Sequence, residues 1–242
     1  RSGDIKKARD LKELAQINVN DFDGRPFVAW LFEVDGQFNG MSDAAFEYVF
    51  RELKQDFNTP VGSNKWTTVV SMFCVNMAAQ GHRQTDPIAG LARTLKRIQF
   101  AFQNGANPAP VPNVAWGLRD DQPLPRCVDA YVSLRSNPQH GAMVLEAIKL
   151  MLARKADPNY DYTIVRATKI YDVALLSVLH GGGARLVNAI PVTGDADVCK
   201  GHNLPPNNVL AALPSPSDQD VAVARPFLVE LAKRGVDLKS QQ

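Results

Sequence analysis

The chain has 242 residues, 45% of them hydrophobic, and a mean hydropathy of −0.19, which is the composition of an ordinary globular protein with enough apolar mass for a sizeable core. Twenty-seven Lys and Arg against 25 Asp and Glu leave a formal net charge of +2, too small to provide the basic footprint that nucleic-acid binding requires. No apolar stretch reaches the roughly 20 residues needed to cross a bilayer, so no membrane insertion is expected.

The chain begins at Arg1 without an apolar leader and reads as a fragment or a trimmed form. Three widely spaced cysteines, Cys74, Cys127 and Cys199, argue against a disulfide framework and suggest the cytoplasm or another reducing compartment.

In chain order, residues 4–15 form a charged helix. Lys6, Lys7, Arg9 and Lys12 share it with Asp4, Asp10 and Glu13, which marks a solvated outer face rather than an RNA-binding stripe. A recurrent pattern follows, in which an apolar-periodic segment closes on a turn carrying Asn or Asp. The clearest copies end at Asn104-Gly105-Ala106-Asn107-Pro108, at Lys155-Ala156-Asp157-Pro158-Asn159 and at Arg234-Gly235-Val236-Asp237. Weaker copies end near Asn18, Asn58 and Asp197. The turns therefore fall at 18, 58, 107, 157, 197 and 237, with separations of 40, 49, 50, 40 and 40 residues.

Each copy has a physical reading. Apolar residues at helical spacing pack one face, and a Lys or Arg in the last turn suits the negative end of the helix dipole. Gly or its neighbour then takes the left-handed closing conformation, and the Asn or Asp turns the chain by bonding its own backbone. Between successive turns lies a second apolar run, poorer in charge: residues 26–33, 66–79, 126–135 (or 113–119), 172–180 and 207–213. Each unit thus reads as loop, inner helix, turn, outer helix. Pro, Gly and Asn gather in the connections at 107–112, 120–125 and 204–208, and no alternation long enough for a sheet occurs.

The turns resemble the Gly-Ala-Asp-Val-Asn element of ankyrin repeats. Ile17-Asn18-Val19-Asn20-Asp21-Phe22-Asp23-Gly24-Arg25-Pro26-Phe27 is similar to that family's turn, hairpin tip and inner-helix start in one piece. The resemblance covers residues 1–242 as about five degenerate units in a single domain, with residues 4–15 as the outer helix of a capping or missing unit. It departs from the family in period, 40 to 50 residues against about 33. It departs also in the inner-helix start, where of Thr-Pro-Leu-His only Pro26 has a counterpart. The fold implied is an all-α, ankyrin-like helical repeat solenoid of helix-turn-helix units with long, irregular loops. Armadillo and HEAT arrays are the structural alternative, and the Gly-Ala-Asn and Ala-Asp-Pro-Asn turns favour ankyrin.

Catalytic motifs are few. His180-Gly181-Gly182-Gly183 matches the oxyanion-hole glycines of some esterases, but the chain has no Gly-x-Ser-x-Gly elbow, so a helix-connecting turn is expected. Cys199-Lys200-Gly201-His202 has the spacing of a zinc half-site, with Asp195 and Asp197 nearby, but no second pair to complete four ligands. Phosphate-binding glycine loops do not occur. Asp120-Asp121 reads as a solvated pair in a Pro-rich loop, and His82 and His140 as isolated loop residues. Neither cofactor nor metal nor catalytic residue is expected.

What the resemblance implies is recognition of another protein, with no nucleic acid involved: a stacked array offers a concave surface of inner helices and loop tips. Side chains at the tips are not committed to packing between units. The candidate partner-binding residues are therefore Phe22, Asp23 and Arg25 in the first tip, Lys65 and Trp66 at the second inner-helix start, Trp116 and Arg119 in the third connection, and Tyr160, Tyr162 and Arg166 in the fourth. The function implied is a non-catalytic scaffold, adaptor or accessory subunit. The alternative is the substrate-recruiting domain of a larger enzyme, such as a secreted bacterial effector.

Overall fold

The computed structural model of the chain describes residues 5–6, 8–10, 27–34, 41–61, 67–83, 85–108, 122–158, 163, 167, 172–184, 229 and 233. These are mostly helical, and the one element of β pairing among them is an isolated antiparallel bridge between Val61 and Thr67. The fold is all-α. The expected turns at 18, 197 and 237 and the inner helix at 207–213 lie outside the described residues.

Helix α1 (Phe27–Val34) is the first of the inner runs. Helix α2 (Asp43–Glu47) starts on Ser42, whose hydroxyl accepts the Ala45 N–H at 3.2 Å. It passes directly into a π-helical turn, Tyr48–Glu52, whose wider register the sequence pattern does not anticipate. Helices α3 (Val69–Gly81) and α4 (Pro87–Gln103) make an antiparallel-type pair joined by a short turn, as do α5 (Pro123–Leu134) and α6 (Pro138–Ala153). Helix α7 (Val173–Gly181) follows on α6.

The caps explain where these helices begin. Thr68 and Ser71 form a reciprocal capping box at α3. Asp86 and Asn137 accept first-turn N–H groups of α4 and α6, each followed by a proline at the first helical position. Asp172 caps α7 by accepting the Leu175 N–H at 2.9 Å. Two boundaries differ from the sequence pattern for the same reason. The stretch expected as a Pro-rich loop at 120–125 yields its last three residues to α5, because prolines in a first helical turn lack only N–H groups that have no partner there. His140, expected in a loop, is buried in the first turn of α6.

Packing follows a simple order. Within each pair α3 lies on α4 and α5 on α6; between pairs, α3 lies on α5 and α4 on α6. A single hydrophobic cluster runs through all of them and on to Leu175, Leu176 and Leu179 of α7. Helix α3 buries Val69, Val70, Phe73, Cys74 and Met77, and also the polar Ser71, Asn76 and Gln80, so little of it faces water. Gly81 ends it against α5: a Cβ at that position would stand 2.5 Å from a Leu134 methyl, so glycine permits the close approach of the two helices.

Helices α4 and α6 share one burial register. Leu91, Thr94, Arg97, Ile98 and Ala101 of α4 are buried, and so are Gly141, Val144, Ala147, Ile148 and Met151 of α6, each fifty positions on. The segment of α2 and the π-helical turn joins α4 through aromatic rings: Phe50 stacks on Phe57 with centroids 3.8 Å apart, and Phe46 meets Phe100 edge-on at 5.7 Å. Arg97 carries its buried guanidinium across to α2, donating to the Met41 carbonyl at 2.7 Å and to Asp43 at 3.0 Å while lying over the Phe46 ring.

Candidate functional site

The ten residues expected to bind a partner, Phe22, Asp23, Arg25, Lys65, Trp66, Trp116, Arg119, Tyr160, Tyr162 and Arg166, all lie outside the described residues. The Val61 N–H donates to the Thr67 carbonyl at 2.7 Å. The Cys199–His202 half-site and Asp120-Asp121 are also outside.

The expected turns at 58, 107 and 157 are described, and the structure joins the first two. The carboxamide of Asn58 accepts the Asn107 N–H at 2.7 Å and donates to the Gly105 carbonyl at 3.1 Å, while Asp56 accepts from the Asn58 backbone at 2.8 Å. One turn therefore reads the backbone of a turn 49 residues later. The ends of the next two outer helices are tied likewise, Arg154 donating to the Phe102 carbonyl at 2.7 Å. Gly105 and Lys155 close α4 and α6 at equivalent positions with φ of +90° and +65°, and after each the alanine N–H returns to the helix, Ala106 to Ala101 and Ala156 to Met151. Near the N-terminus Arg9 donates its Nε N–H to Glu52 at 2.7 Å, with its guanidinium beside the Tyr48 ring.

His180-Gly181-Gly182-Gly183 closes α7. Gly182 N–H bonds back to Val178 and Leu179, Gly183 has φ +94°, and Ala184 N–H returns to Leu179 at 2.9 Å. A Cβ on Gly182 would stand 2.7 Å from a Leu152 methyl, so these glycines serve a helix end and a close contact with α6. This arrangement is a helix C-terminus, with the amides committed to the helix's own carbonyls.

Sequence reasoning missed one polar cluster, between α5 and α7. The Tyr131 hydroxyl donates to Asp172 Oδ1 at 3.0 Å, the same oxygen that caps α7, and Arg135 approaches Oδ2 at 3.7 Å. Burial and the neighbouring Asp172 carboxylate push the Tyr131 phenol well above its ordinary range, so it remains a protonated donor. Its chemistry is positional: it holds the start of α7 against α5. Asp172 was legible as the start of an apolar run; its cap role and its tyrosine partner, 41 residues earlier, were not.

A second departure concerns the cysteines. Cys74 of α3 and Cys127 of α5 form a disulfide, their Cα atoms 4.7 Å apart, while Cys199 lies outside the described residues. The wide spacing that argued against pairing is undone by helix packing, which brings residues 53 apart side by side.

Among the described residues no group of three or more His, Cys, Asp or Glu is placed to hold a metal ion, and no helix is long and apolar enough to cross a membrane. Compared with protein-family models, with curated proteins and with solved structures, the chain matches none.

Proposed function

We propose that the chain is an ankyrin-like helical repeat array that works as a non-catalytic scaffold, adaptor or accessory subunit, binding another protein through its loop tips. The observation that carries this reading is the bond from Asn58 to the Gly105–Asn107 turn, because a stacked array needs equivalent turns to adjoin. The shared burial register of α4 and α6 and the pairwise order of helix contacts support it. Since α3 and α5 spend nearly all their surface on each other and on the outer helices, the partner's contacts fall to the connections and not to an inner-helix groove.

The test is capture of the partner by the tagged chain, with cross-linking to locate the contact, repeated on the Trp66→Ala and Trp116→Ala variants. A buried tryptophan anchor is worth about 2 kcal/mol or more, so capture should weaken at least 10-fold while helicity is retained. Unchanged capture by both variants removes the tip residues from the interface. Loss of helicity together with binding assigns the tryptophans to the core.

A further inference from the structure

Cys74 and Cys127 are both fully buried in the hydrophobic cluster, one on each of two adjoining helices. Thiol–disulfide exchange needs a thiolate to reach one sulfur and passes through a mixed disulfide. Neither the attack nor the bulkier intermediate fits within a close-packed interior. Forming the bond has the same requirement as breaking it, since a donor disulfide must first be attached to one of the two cysteines.

We propose that the Cys74–Cys127 bond is a one-way maturation lock, made before α3 docks on α5 and shielded once they have docked. In making it, one chain thiolate displaces a thiol from an oxidised dithiol carrier or a small disulfide, forming a mixed disulfide. The second chain thiolate then displaces the carrier from that intermediate. The chain loses two electrons and two protons, and the carrier leaves as its reduced thiol form. The loop so closed spans 53 residues and unites two helix pairs, so each pair is held to its neighbour by a covalent bond as well as by packing. An oxidising step therefore belongs to the chain's biogenesis. This inference does not depend on the partner-binding reading.

The experiment uses the full chain, isolated from the cells that make it under acid quench, then unfolded and treated with maleimide. With three cysteines in the chain, one label is expected without reductant and three after reduction. Three labels without reductant would overturn the proposal. The folded chain is then incubated with increasing dithiothreitol and sampled by the same labelling. Shielding predicts a reduction rate that levels off at the rate of chain opening and rises steeply with urea. A rate constant without urea equal to that of an exposed cystine would show that the bond is open to exchange and would remove the lock.

Discussion

Helices α3 and α5 bury residues on nearly every side, whereas α4 and α6 bury one stripe and leave the opposite face, with Arg93, Lys96, Gln99 and Lys149, to water. Helices α4 and α6 combine that periodic stripe with particular partners of their own, Arg97 on the Met41 carbonyl and Arg154 on the Phe102 carbonyl. The inner helices are held by particular partners: a disulfide, a glycine under Leu134, a capping box, and buried Ser71, Asn76 and Gln80. Burial is accordingly more complete in α3 and α5, and the shared register is most visible in α4 and α6.

The largest expected effect separates the two layers directly. Phe73→Ala in α3 removes a fully buried ring that also meets Phe46 and should destabilise the chain by about 3–5 kcal/mol, while Arg93→Ala on the open face of α4 should stay within about 0.5 kcal/mol. Urea unfolding of both variants measures the contrast, and similar losses would erase the distinction between layers.

The next concerns how α7 is attached to the inner layer. Tyr131→Phe leaves Asp172 with its helix cap but without the phenol donor, a loss of about 1.5–3 kcal/mol for a bond to a charged group. The phenol's pKa is raised in the folded chain, so its contribution is complete below the ordinary tyrosine value of about 10 and is lost as pH rises through the folded value. Unfolding free energy measured from pH 8 upward should fall more steeply for the parent chain than for the variant. Parallel curves would detach the tyrosine from this role.

The smallest effects test whether the outer turns are equivalent. Asn58→Ala removes two contacts to the following turn in an exposed setting and should cost about 1 kcal/mol. At the two left-handed closing positions the changes should have opposite signs: Lys155→Gly should stabilise and Gly105→Lys destabilise, each by about 1 kcal/mol. Thermal unfolding of the two variants reads the sign, and a loss in both would show that the two turns differ in kind.

Much of the helical organisation was legible because helix period and cap chemistry are local. The apolar run from 172 and Gly105 after the last turn of α4 each act within a few residues of themselves, whereas the capped starts at Pro87 and Pro138 have no counterpart in the sequence pattern, which puts His140 in a loop. Helix α5 was placed three residues late because Pro123 and Pro125 read as loop until their position in the first turn is known. Of the candidate site, the turns at Asn58 and Asn107 were legible as turns, but their mutual hydrogen bond was not, since no local rule relates residues 49 apart. Arg97, within the apolar-periodic segment that ends at Asn104, is buried and reaches back 56 residues to the Met41 carbonyl, a pairing that no local rule supplies.

By itself the sequence determined that this chain is helical and where most of its described helices close. Those are properties of spacing and of residue types acting on their own backbone. Which helices lie against one another, that Cys74 meets Cys127, that Tyr131 holds Asp172 and that one turn's asparagine reads the next turn's backbone were decided only by tertiary packing. Such pairings depend on the shape of whole helices brought together, and no short window of residues contains that information.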